Sequence, residues 1–198
     1  AGAALRLGSG EHVLRATPHA TSVPMIWLLG SSDFSARLAA SRGLPYVFAH
    51  HFSGRGTAEA LALYREGYQP SPEHPEPRTF LTVNVVVAPT QAQAQRLVQP
   101  MVRTMVALRT GQPLMPQESV EEAEARGVMV AHQPLADEMA SRWVVGDPQQ
   151  AAARVRELAA TFDVDEVMVS PVAGSFAGTP VRRSPAREET LRLLADAM

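Results

Sequence analysis

The sequence contains no cysteine and no lysine, and the first absence narrows the possible chemistry. Without cysteine, a disulfide framework, a thiolate nucleophile and a cysteine-ligated zinc site are all excluded. No apolar run approaches the ~20 residues that span a bilayer, so the sequence predicts no contact with a membrane interior. The 18 basic residues, all arginine, nearly balance 20 acidic residues, and the net charge of −2 gives no electrostatic footprint for nucleic acid.

What is present fits one globular domain, because 198 residues with 45% hydrophobic side chains are enough to bury a core. The chain begins AGAALRL, without an initiator methionine, and no charged-then-apolar signal segment opens it. We therefore expect a cytoplasmic protein.

Short apolar runs closed by turn residues alternate with helical patterns along most of the chain. Strands are predicted at residues 25–29, 45–52, 80–87 and 166–169, and the first of these, MIWLL, is typical of a strand buried on both faces. This alternation predicts βαβ units and a parallel sheet. Four strands are too few for a closed eight-stranded barrel of ~250 residues, so the pattern leaves open a small α/β sheet or half of a barrel.

In either architecture the chemistry is expected in the loops that leave the carboxyl ends of the strands. In the first loop, Gly30 allows a tight turn and three hydroxyls surround a helix start, those of Ser31, Ser32 and Ser35. A helix N-terminus offers free N–H groups that suit a phosphate, but a serine there is also an ordinary helix cap. The spacing alone leaves both interpretations open.

The second loop carries two adjacent histidines, His50 and His51. Neighbouring strand residues point to opposite faces, so the pair is poorly placed to ligate one metal and no metal site is predicted. One histidine is expected to face a ligand and the other to pack among helices. Asn84 lies within a buried strand and must find hydrogen-bond partners there, either in a pocket or as a structural amide.

Residues 24–52, PMIWLLGSSDFSARLAASRGLPYVFAHHF, resemble the bacterial-luciferase-like family of flavin-dependent monooxygenases. Three later segments are similar to family segments in the same order along the chain: ALALYREGYQPS, TVNVVVAPT and WVVGDPQQAAARVRELAATFDVDEVMVS. The resemblance therefore extends over nearly the whole sequence.

The resemblance implies an α/β fold, the luciferase-like (β/α)8 TIM barrel, of which this chain is expected to supply roughly strands five to eight. Residues 1–198 would be the C-terminal part of a single barrel domain, and residues 110–142 an insertion after the seventh strand. It also implies cofactor-binding residues, namely Gly30, Ser31, Ser32, Ser35, Ala49 and His50. A small residue is more usual at position 50, so His50 departs from the family pattern. The catalytic groups are expected in the other half of the barrel.

The implied function is a monooxygenase that uses reduced FMN and O2 to oxidise a small organic substrate, such as an aldehyde or a secondary metabolite. A flavin reductase that supplies reduced FMN and a homodimeric assembly are the expected partners. Two alternatives remain open at this point. One is an oxidoreductase of the same fold that uses the deazaflavin coenzyme F420, and the other is a non-catalytic flavin-binding or structural half-barrel.

Overall fold

The computed structural model describes residues 3–15, 17–18, 21–22, 24–52 and 54–198. Within these residues the strands are β1 (Ala3–Leu7), β2 (Gly10–Leu14), β3 (Leu28–Gly30), β4 (Tyr46–Phe48), β5 (Leu81–Val87), β6 (Val144–Gly146) and β7 (Val167–Pro171). The helices are α1 (Asp33–Ser41), α2 (Thr57–Glu66), α3 (Gln91–Arg109), α4 (Val120–Arg126), α5 (Gln133–Ala140), α6 (Pro148–Phe162) and α7 (Pro185–Ala197). A single 3-10 turn (Val130–His132) precedes α5.

The strands after the first two form parallel ladders, which confirms the predicted parallel sheet. β3 pairs with β4, and β5 lies between β6 and β7, all in parallel register. A parallel bridge between Tyr46 and Thr79, just before β5, places the two ladders side by side. β1 and β2 form a separate antiparallel hairpin.

One face of this sheet, called the outer face here, is covered by four helices. Because side chains alternate along a strand, Leu81, Val83, Val85 and Val87 share this face, and they pack in one cluster with residues of α6 and α7. Tyr46 and Phe48 continue the outer face on β4, where they pack under α1 and α2. The largest fully buried side chains lie mostly on this side of the strands.

The opposite, inner face is only partly covered. At the carboxyl end of β5 this face is covered by α3, because Val86 packs with Leu97 and Val98 of that helix in a third cluster. Elsewhere on the inner face, Leu29 of β3 is 61% exposed and Met168 of β7 is 52% exposed. The sheet therefore has one face with a complete core and one face that is still open to solvent in part.

Two strand predictions need correction. The strand predicted at residues 25–29 is the short β3, and Met25 and Ile26 before it are more than half exposed, so the run is not buried on both faces. Its apolar residues have a covering layer on the outer face only. The strand predicted at residues 45–52 ends at Phe48, where the chain turns: His50 N donates to Phe48 O at 2.8 Å.

The segment between β5 and β6 contains α3, α4 and α5, and residues 110–142 hold the last two of these. Asp147 caps α6 with Pro148 in the first turn, and the Asp147 carboxylate accepts a hydrogen bond from Gln150 N at 2.9 Å. Ser119 caps α4 by the same reciprocal arrangement. In the described part of the chain, every helix is too short or too polar to span a bilayer.

Candidate ligand site at the ends of the parallel strands

The loop that follows β3 is shaped by a close contact between Gly30 and Ser35. A Cβ atom placed on Gly30 would lie 2.2 Å from Ser35 Oγ, which only a glycine avoids. Ser35 Oγ donates to Ser32 O at 2.7 Å and lies 3.2 Å from Tyr46 Oη. The Ser35 hydroxyl is thus engaged within the protein and fixes the loop.

Ser31 and Ser32 stand exposed at the start of α1, a helix of nine residues. Ser32 is the N-cap residue in an extended conformation, yet its hydroxyl makes no capping hydrogen bond. The first backbone N–H groups of α1 have no helical carbonyl partner, and they lie at the same end of the helix as these two serines. Such donors fit a phosphate or another anion, whereas the exposed carboxylate of Asp33 in the first turn opposes one.

The loop after β4 is tied to the first loop, because Ala49 N donates to Gly30 O at 2.8 Å. Ala49 is 7% exposed and lies at the end of the strand pair. The structure therefore brings the predicted residues Gly30, Ser35 and Ala49 together. Whether any of them contacts a flavin stays a prediction.

His50 points to the outer face and is 5% exposed. Its Nδ1 lies 2.8 Å from Thr57 Oγ1 in the first turn of α2, and its ring packs edge-on against Phe162 at 5.2 Å between centroids. Nε2 is buried and has no hydrogen-bond partner among the described residues. The pKa of His50 is lowered to about 4, chiefly by burial. The backbone of Arg142 raises this pKa in part, and the charges of Arg142 and Arg154 act in the same direction as burial.

His51 lies on the inner face, in the turn that follows β4. Its Nδ1 is 2.7 Å from Thr82 Oγ1, and its carbonyl accepts a hydrogen bond from Asn84 Nδ2 at 2.7 Å. Asn84 faces Ser170 across the β5–β7 ladder, so four polar side chains line this part of the inner face. Burial lowers the pKa of His51, which favours the neutral imidazole.

The hydroxyl of Thr82 sets the tautomer of His51. Thr82 Oγ1 donates its one proton to Phe48 O at 3.2 Å, so it can only accept from His51 Nδ1. Neutral His51 then carries its proton on Nδ1 and presents Nε2 as a hydrogen-bond acceptor.

One histidine thus packs among helices and the other lies on the inner face. The one among helices is His50, which the family resemblance placed among the cofactor-binding residues. A flavin contact of His50 stays a prediction. The set of His51, Thr82 and Ser170 was not predicted as a site. The spacing of Thr82 and Asn84 carried a signal, because polar residues two apart in a strand share a face. Nothing in the sequence alone indicated which face is the inner one, and therefore which histidine belongs to it.

The chain is similar in sequence to known proteins over most of its length. The profile of a family described as luciferase-like monooxygenase matches residues 4–164. The chain is 36% identical to the Bacillus subtilis protein YvbT over 164 residues, which are 82% of this chain and 48% of YvbT. It is 33% identical to an Escherichia coli protein named luciferase-like monooxygenase, over 77% of this chain and 47% of that protein. The chain thus spans about half the length of these relatives.

Solved structures show the same fold. The crystal structure of apo-MsnO8 superimposes with a TM-score of 0.77 at 31% identity, over 91% of this chain and 53% of that one. The fold alone is shared with the oxygenating constituent of 3,6-diketocamphane monooxygenase from Pseudomonas putida, which was solved in complex with FMN. That structure is 16% identical and superimposes with a TM-score of 0.58 over the whole of this chain and 57% of its own. An F420-dependent tetrahydromethanopterin reductase from Methanopyrus kandleri also shares the fold, at 15% identity, with a TM-score of 0.52 over 87% of this chain and 49% of that one. The fold is therefore the luciferase-like α/β fold of the TIM-barrel type, and the chain belongs to the luciferase-like monooxygenase family.

Proposed function

We propose that this chain contributes the phosphate end of the cofactor site in an FMN-dependent monooxygenase that oxidises a small organic molecule with O2. The proposal depends chiefly on one observation: two exposed serines stand at the N-terminus of α1 in a loop that the Gly30–Ser35 contact shapes. The matches to proteins named monooxygenases, one of them solved with FMN, support it. The catalytic groups are proposed to lie outside this chain.

In this proposal Ser31 and Ser32, with the free N–H groups of α1, hold the phosphate, while Ser35 and Gly30 keep the loop in shape. His51 offers Nε2 on the inner face as an acceptor for an N–H or O–H donor of a ligand. His50 acts from behind the strand, where it supports the loop. Reduced flavin, when bound, would supply the electrons for the reaction with O2.

We also propose that residues 1–198 are the C-terminal part of one barrel domain and that residues 110–142 are its insertion after the seventh strand. A separate flavin reductase, a homodimer and a cytoplasmic location complete the proposal. The deazaflavin alternative uses the same serines, because the fold is shared with an F420-dependent reductase. The cofactor must therefore be identified by titration.

The test is titration of the protein with FMN, riboflavin and the deazaflavin, followed by fluorescence. Replacing Ser31→Ala together with Ser32→Ala removes two hydrogen bonds to a charged group, so FMN affinity should fall by about tenfold or more. Riboflavin, which lacks the phosphate, should bind the double variant and the wild type equally. Ser41→Ala at the other end of α1 is the matched control.

Unchanged FMN affinity in the double variant would contradict the phosphate assignment. Tighter binding of the deazaflavin than of FMN would replace the FMN proposal by the deazaflavin alternative. Failure of all three compounds to bind, in a protein that includes the rest of the barrel, would contradict a cofactor site here.

A further inference from the structure

α3 contacts two different loops that leave the sheet. At ~1.5 Å per residue, its 19 residues reach ~28 Å, far enough to lie across several parallel strands. The first loop follows β4 and comprises residues 49–52 and 54–56, here called the β4 loop. The second follows β7 and comprises residues 172–178, here called the β7 loop. Both emerge at the edge where the ligand site is proposed.

The first half of α3 holds the β7 loop. Gly174 N donates to Leu97 O at 2.7 Å, and a Cβ on Gly174 would lie 2.6 Å from the ring of Pro100, so the loop approaches the helix as closely as a backbone can. The guanidinium of Arg96 lies over the ring of Phe176, 5.7 Å from the ring centroid. The adjoining α4 completes the contact, because Glu121 accepts a hydrogen bond from Ala177 N at 2.9 Å.

The far end of α3 holds the β4 loop. Arg109 donates to Phe52 O at 2.6 Å, and its guanidinium lies 4.6 Å over the Phe52 ring. Glu138 of α5 completes this contact, because it accepts from Arg55 Nε at 2.7 Å and also pairs with Arg142. The arrangement mirrors the one at the β7 loop, with an arginine–phenylalanine stack and a glutamate at each end.

The elements that carry these contacts pack as one body. Leu97, Val102 and Met105 of α3 share a buried cluster with Val120 of α4 and Met139 of α5. A displacement at one end of this body is therefore transmitted to the other, since packed cores do not deform continuously.

We propose that residues 91–142 act as a brace that couples the β4 loop to the β7 loop, with Glu138 and Glu121 as positioning residues for the ligand site. The coupling of the two loops does not depend on the ligand. The role of the coupling in ligand binding rests on the proposed flavin function. A ligand that orders the β4 loop would thereby order the β7 loop as well.

The test is hydrogen exchange of the ligand-free protein, read separately for the two loops. Glu138→Ala should speed exchange in the β4 loop by about three- to tenfold. The hydrogen bonds of Glu138 with Arg55 and Arg142 join charged groups, but solvent reaches them and limits the effect. The diagnostic result is a smaller acceleration in the β7 loop, which Glu138 does not touch. Glu121→Ala should give the reciprocal pattern. Glu189→Ala, which breaks an ion pair within α7, is the matched control and should leave both loops unchanged.

Acceleration confined to the loop that each glutamate touches, or absent from both, would overturn the brace. If Glu138→Ala lowers the melting temperature of the whole protein, Arg55→Ala breaks the same pair from the loop side and must show the same cross-effect. Titration with FMN adds the functional readout: both glutamate variants should weaken binding by about threefold. Absence of FMN binding in wild-type protein that includes the rest of the barrel would contradict the proposed function, and the exchange data would still test the brace.

Discussion

The outer and inner faces of the sheet are built from the same kinds of residue but have different surroundings. Leu81 on the outer face is 1% exposed, whereas Leu29 on the inner face is 61% exposed, and both belong to apolar runs of the sequence. His50 and His51 are adjacent in the chain, yet one is enclosed by α2 and α6 and the other belongs to a polar set on the inner face.

The difference shows that an apolar run predicts a strand but not the number of layers that cover it. The outer face is covered by the helices that connect the parallel strands, so its burial follows from the local chain order. Burial of the inner face requires elements from elsewhere, and in the described residues α3 supplies only part of that cover.

The largest expected effect compares the same substitution on the two faces. Leu81→Ala should lower the free energy of unfolding by about 3 kcal/mol, because it removes buried methyl groups and leaves a cavity. Leu29→Ala should change it by less than about 0.5 kcal/mol, since most of that side chain is in water. Urea unfolding of both variants measures the difference. Equal losses would mean that the inner face is covered in solution.

The second prediction uses the buried histidine of the outer face. Its pKa is about 4 in the folded protein and ordinarily 6.5, so the unfolded chain binds the extra proton between these values. The contribution to stability is therefore complete above pH 6.5 and is lost as the pH falls to about 4, with a total on the order of 3 kcal/mol.

Urea unfolding from pH 7 to pH 4.5 measures this loss, and His50→Gln should flatten the dependence. His51→Gln is the control for the inner face and should flatten it less. Parallel curves for the wild type and His50→Gln would show that His50 does not stay neutral in the folded protein.

A third prediction concerns the end of β3. Gly30→Ala forces the new methyl group into Ser35, so we expect a loss of about 1–2 kcal/mol. Gly10→Ala in the β1–β2 hairpin is the control, because the nearest atom there is the end of the His12 side chain at 3.3 Å. Thermal unfolding of the two variants tests this expected loss. Equal melting temperatures would mean that the loop accommodates the methyl group without a loss of stability.

The smallest effect is expected from the polar set of the inner face. Thr82→Val keeps the shape of the side chain but removes its hydrogen bonds with His51 and Phe48, at a cost of about 1 kcal/mol. The pKa of His51 should change as well, because Nδ1 loses its partner. NMR titration of the His51 ring measures this, and an unaltered titration would contradict the hydrogen bond between His51 and Thr82.

The sequence predicted the outer face well because its signals are local. The strands predicted at residues 80–87 and 166–169 both appear in the structure, as β5 and β7. Each depends on neighbours within a few residues along the chain. The family was recognised for the same reason, since its most specific residues are contiguous.

The inner face was harder to predict because its partners are distant in the chain. His51 meets Thr82 and Asn84 only after β4 and β5 come together, and no local pattern distinguishes it from His50. The extent of β3 was overestimated because an apolar run contains no information on whether a covering layer exists. The position of the serine loop was predicted, but the hydrogen bonds of Ser35 with Ser32 and Tyr46 depend on how the loop folds against β4.

The position of α3 also has a consequence for the order of folding. Its buried cluster includes Val172 and Ala173, and Gly174 bonds to its backbone, although these residues follow the helix by the whole of β6, α6 and β7. During synthesis the part of α3 that these residues cover stays exposed until they have left the ribosome. Such non-local closure slows folding, so the contacts of α3 with the β7 loop should form after its contacts with α4 and α5.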